Sequence, residues 1–202
     1  MERAFLFQNM KSYMFIWLLG IMGGASVIFF SAFPANDLWA FSYWSSSTLG
    51  FWMFSTSLIV LFSDKRKTAF INTLIYIFTM FFITEIYKAL RLFQQGYAHF
   101  DSASELVLGR LAGCLIYSAA YSLLCGALAL VLWNGRKNNA AGKALRLLPM
   151  LFLLAETLAL FCTVLSQHIK LFSALTDLLW LILYIVIICK YSKPLNKKSV
   201  AD

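Results

Sequence analysis

Charge is what this sequence has least of. Asp and Glu together number 9, Lys and Arg 17, and only 13% of the 202 residues are charged, against about 25% in an ordinary soluble domain. Histidine occurs twice and proline three times. The four cysteines, Cys114, Cys125, Cys162 and Cys189, sit inside apolar runs and form neither a CxxC pair nor a Cys/His cluster. Neither a zinc site nor a disulfide framework is indicated. They read as small buried hydrophobes, with acylation of Cys189 beside the basic tail as the alternative. No HExxH, G-x-S-x-G, Walker or dinucleotide motif occurs. His99 and His168 stand beside no recognisable nucleophile, and Ser166, two residues before His168, falls on a different helix face. Intramembrane hydrolysis finds no support, and no catalytic residue, cofactor or metal is expected.

Apolar residues are present in excess: 61% of the chain is hydrophobic and the mean hydropathy is +0.75. One globular core cannot hide so much apolar surface, so lipid must cover it. The net charge of +8 then reads as membrane topology rather than as affinity for nucleic acid. A helix needs about 20 apolar residues to cross the hydrocarbon core. Six stretches are predicted to do so: 12–33, 44–62, 69–90, 106–133, 147–168 and 171–189. None alternates like a barrel strand, so the expected fold is all-α, a single polytopic membrane domain of six helices over 1–202 with a basic tail at 190–202. The segment "SAFPA" (31–35) resembles a cleavage site, but the apolar stretch before it is about twice the usual signal length, which predicts a retained helix.

Basic residues sort unevenly between the two sides. With the N-terminus in the cytoplasm, thirteen of the 17 lie inside: Arg3 and Lys11; Lys65, Arg66 and Lys67; Arg136, Lys137, Lys143 and Arg146; Lys190, Lys193, Lys197 and Lys198. Only Lys88, Arg91, Arg110 and Lys170 fall outside. This bias predicts both termini in the cytoplasm of a cell, most simply a bacterial one. In the outer connection, "PANDLWAFSYW" (34–44) offers Trp39, Tyr43 and Trp44 to the headgroup layer or as a cap over a cavity. "FSDKRKTAF" (62–70) and "LWNGRKNNA" (132–140) echo each other ahead of helices bearing Glu85 and Glu156, which chance explains as well as duplication does. Gly20 and Gly24, and the row Ala119, Ser122, Gly126 and Ala129, are small-residue faces for close helix packing, within the chain or against a partner.

The few charges inside the spans carry what chemistry there is. Each costs about 3 kcal/mol at mid-membrane. Glu85, Lys88 and Arg91 lie on one side of the third helix; Lys88 one turn on is a ready partner for Glu85, and Arg91 suits snorkelling to the headgroups. Arg110 with Gly113, Tyr117 and Tyr121 forms a stripe on the fourth. Glu156, Thr163 and Gln167 do so on the fifth, where Glu156 has no cation within a turn or two, and Asp177, Trp180 and Tyr184 on the sixth. The sequence predicts that Glu85, Arg110, Tyr117, Glu156, Asp177, Trp180 and Tyr184 line an outward-facing pocket for a small polar or aromatic solute. The simpler reading is that the aromatic residues only pack.

In size, six spans, cytoplasmic termini and lack of an ATPase of its own, the chain resembles the substrate-capture subunits of energy-coupling-factor vitamin importers. The resemblance is architectural, covers the whole chain and implies capture of a small molecule; the alanine-spaced docking face of that family's first span is missing here. A second expectation is an accessory or permease-like subunit of an ABC exporter or immunity system, with loop 134–146 against a cytoplasmic ATPase, anionic lipid or another membrane subunit. A third is a membrane enzyme acting on lipid-linked substrates through Glu85, Glu156 or Asp177.

Overall fold

The computed structural model describes residues 13–31, 46–94, 103–137 and 139–191. Among them are six α-helices and no strand: α1 (Tyr13–Ser31), α2 (Ser46–Phe62), α3 (Arg66–Gln94), α4 (Ala103–Leu132), α5 (Ala140–Gln167) and α6 (Leu171–Tyr191), with a 3₁₀ turn at Trp133–Arg136. Five of these, all but α2, are long and apolar enough to cross a membrane. The apolar part of α2 is only Gly50–Phe62, short of the about 20 residues a crossing ordinarily takes. The segment 34–44 lies outside the described residues, as do Arg3, Lys11, His99 and the tail lysines beyond Tyr191.

Helix ends depart from the apolar runs for a local reason. The fifth helix starts at Ala140, seven residues before the predicted 147, because Asn139 caps it: its Oδ1 accepts from the Gly142 N–H at 2.7 Å. The first turns of α5 carry Lys143 and Arg146, so the uninterrupted apolar run starts later than the backbone begins to coil.

Among the described residues the surface is largely apolar, and polar side chains are buried beside the apolar core. Ile116, Tyr117, Leu124 and Leu128 of α4 and Ile182 and Val186 of α6 are about half exposed or more, whereas Ser57, Asn72, Thr73, Ser118, Ser173 and Asp177 are fully buried. Large exposed apolar faces on long helices require a cover, and together with the helix lengths they make this an integral, multi-pass membrane protein.

The chain divides into two compact units, one of Met1–Phe30 with Phe62–Leu130 and one of Ser31–Leu61 with Val131–Asp202. In the first, α3 is flanked by α1 and α4. A Cβ at Gly20 would meet Thr79 at 2.9 Å and one at Gly24 would meet Ile83 at 3.1 Å, so these glycines let α1 lie directly on α3. On the other flank the ring of Phe70 fills the space at Gly126, Tyr121 stacks on Phe81 with centroids 4.9 Å apart, and Arg66 Nε donates to the Leu130 carbonyl at 3.2 Å near the end of α4. Both small-residue faces thus pack within the chain.

In the second unit α5 and α6 form a hairpin closed by residues 168–170, where His168 (φ 55°) and Lys170 (φ 66°) take left-handed conformations that reverse the chain in minimal length. Phe54 and Leu61 of α2 meet Leu153 of α5 and Leu181 and Tyr184 of α6 in one buried cluster. Pro149 lies inside α5 and leaves the Leu145 carbonyl without its helical donor. Beside that loosened turn, the Tyr184 hydroxyl donates to the Arg146 carbonyl at 3.1 Å.

Candidate functional site

The second unit gathers two of the predicted acidic residues. On α5, Leu153, Glu156, Thr157 and Leu160 are buried, the one-sided spacing of a helix face pressed on a neighbour. On α6, Ser173, Ala174, Asp177, Leu181 and Tyr184 are buried at the same spacing. The two faces oppose each other across the hairpin, and the Glu156 and Asp177 carboxyls are close enough to interact directly. Asp177 is wholly buried and Glu156 is 7% exposed. None of their four carboxyl oxygens has a hydrogen-bond partner.

The third wall is α2. A Cβ placed on Gly50 would lie 2.5 Å from Asp177 Oδ1, 2.8 Å from Cγ and 2.9 Å from Oδ2, so the α2 backbone rests on the carboxyl itself. The Gly50 amide also lies on the Glu156 side. With the Asp177 carboxyl where it stands, any side chain at position 50 would overlap it. One turn further along α6, Trp180 packs between Phe51, at a centroid distance of 5.3 Å, and Phe54, at 5.0 Å. Two acids thus sit at a three-helix contact, with a tight backbone on one side and aromatic rings beside them. An unmet polar group in such surroundings costs about 1–3 kcal/mol, and a carboxylate inside a membrane about 3 kcal/mol. Such groups in membrane helices mark pathways for ions and substrates.

The other predicted residues have different surroundings. Glu85, Lys88, Arg110 and Tyr117 all belong to the first unit. Lys88 Nζ donates to Glu85 Oε1, the one-turn pairing expected from their spacing. Cys114 of α4 is within electrostatic reach of Glu85, Lys88 and Arg110. Arg110 is exposed, and Tyr117 is 62% exposed. Thr163 and Gln167, which continue the α5 stripe from Glu156, are half-buried and exposed respectively, and Thr163 Oγ1 donates back to the Ala159 carbonyl at 3.0 Å. Of the aromatics near the acids, Trp180 is held by rings and Tyr184 by a backbone carbonyl.

Sequence reasoning missed Gly50. Its signal is slight, one glycine inside the apolar run "STLGFW". Among the described residues no three His, Cys, Asp or Glu side chains gather as metal ligands. Set against known protein families, characterised proteins and solved structures, the chain matches none.

Proposed function

We propose that this chain is a small-molecule transport protein of a bacterial cell membrane, in which Glu156 and Asp177 form the centre of the working site. The observation that supports it is the four carboxyl oxygens, buried between α5 and α6 and lacking hydrogen-bond partners. A membrane protein that needed only a stable hairpin would do better with apolar residues there; acids retained at such cost serve a ligand.

The topology that goes with this reading has six crossings and both termini in the cytoplasm. It takes α2 as a crossing despite its short apolar part, because otherwise Lys65, Arg66 and Lys67 would lie on the opposite side from Arg3 and Lys11, against the charge bias. In this arrangement Lys137 and Lys143, both exposed beside the start of α5, present positive charge to the cytoplasm. That favours, as a second reading, docking of a cytoplasmic ATPase or another membrane subunit on the loop from Asn134 to Arg146.

The test uses purified full-length protein and a panel of vitamins, amino acids and aromatic metabolites, read by thermal shift and then by uptake into proteoliposomes. The expected result is uptake of at least one solute, lost in Glu156→Gln and in Asp177→Asn. Failure of every solute to bind, with both amides leaving stability and transport unchanged, would sink the proposal. Capture of an ATPase abolished by neutralising Arg136, Lys137, Lys143 and Arg146 would favour the second reading.

A further inference from the structure

The surroundings of Glu156 and Asp177 restrict what they can hold. The α2 backbone at Gly50 is so near the Asp177 carboxyl that a methyl group there would overlap it, which narrows the space between α2 and α6 at that carboxyl. Nor is positive charge supplied by the three helices that meet there. No ionisable side chain occurs on α2 from Ser46 to Phe62. On α5, Lys143 and Arg146 lie about three turns or more away, and the Arg146 guanidinium is committed to the Gly135 and Lys137 carbonyls. Cys162 and His168 lie toward the other end of that helix and are exposed. Lys170 stands in the turn before α6; along α6, Tyr184 donates to the Arg146 carbonyl, and Cys189 and Lys190 are exposed at the far end.

Resting on the transport reading, we propose that Glu156 and Asp177 bind a compact inorganic monovalent cation, a proton or a sodium ion, whose passage drives the solute, and that the solute itself binds elsewhere. Buried acidic oxygens facing one another, with no side-chain donor or cation beside them, are suited to share one such cation. A proton would sit between them as an O–H donated from one carboxyl to the other; a sodium ion would take oxygens from both. Gly50 is then a positioning residue, which keeps the space small enough to refuse an organic amine.

The test is carbodiimide labelling of the full-length protein in liposomes. Dicyclohexylcarbodiimide partitions into lipid and reacts with protonated carboxyls, and peptide mass spectrometry locates the adduct. With choline chloride as the salt, the label is expected on Glu156 or Asp177 and not on Glu85. Persistence of the label in sodium chloride identifies a proton as the cation; its loss in sodium chloride identifies sodium. Absence of label from both residues in choline chloride overturns the proposal, as does protection by methylammonium as strong as that by sodium, since an organic cation would then fit. Glu156→Gln and Asp177→Asn remove the label at the altered position, and Glu156→Asp retains an acid and the label should either amide fail to fold. Labelled protein that carries no solute would sink the transport reading and leave the cation site standing. Solute uptake indifferent to carbodiimide would do the reverse.

Discussion

Each unit of this molecule places a glutamate in the middle of a long apolar helix, and the two are treated in opposite ways. Glu85 in the first unit has Lys88 one turn away on its own helix, and the two side chains pair. Glu156 in the second unit is set against another acid, Asp177, from the next helix, and neither has a side-chain donor. The first arrangement settles its charge locally and needs nothing further. The second is incomplete as built. The lesson is that an acidic residue inside a membrane helix is informative in proportion to what its neighbours fail to provide.

The sharpest way to break this contrast is to remove one acid from each unit. Asp177→Asn is expected to reduce cation-coupled uptake to background, whereas Glu85→Gln leaves most of it; equal loss from both would erase the distinction. Gly50→Val, which drives a side chain into the Asp177 carboxyl, should lower stability by about 1–3 kcal/mol in detergent melts, as overpacking of a tight contact does, while Gly113→Val, where the added atoms meet open space, should cost well under that. Stability should also separate the two acids by sign. Asp177→Asn removes an unmet acidic group and supplies a donor to Glu156, so it should stabilise by about 1 kcal/mol. Glu85→Gln strips Lys88 of its partner and should destabilise by less than about 1 kcal/mol, because a quarter of each side chain is in contact with the surroundings. The smallest effect is expected at Tyr117→Phe, within about 0.5 kcal/mol of the parent, since that ring is mostly exposed. Separately, a lone cysteine at Lys67 in a cysteine-free background should react with a charged maleimide only from the cytoplasmic side; reaction from outside would overturn the six-crossing topology.

Much of this was legible in the sequence, and the rest was not for identifiable reasons. Apolar runs of membrane length disclose helices because their cause is local, and the Glu85–Lys88 pairing follows from a spacing within one helix. Glu156 was legible as a residue lacking a cation in its own helix. That its neighbour would be Asp177 depended on the rotation of α6 about its axis, which the 168–170 turn fixes. Gly50 could not be read from "STLGFW" because the need for glycine lies in what stands opposite. Tyr184 likewise belonged to an expected ligand-lining stripe, yet its hydroxyl is held by the Arg146 carbonyl, in the turn before Pro149 of α5.

The three-residue turn between α5 and α6 has a consequence for biogenesis. Helices joined so tightly are suited to enter the bilayer together, as one antiparallel insert. Glu156 and Asp177 would then cross the lipid facing inward against each other, hidden from the acyl chains from the first moment of insertion. Lengthening that turn with a flexible spacer would let each helix meet the lipid alone and expose its acid, so the shortness of 168–170 safeguards assembly before any ligand is bound.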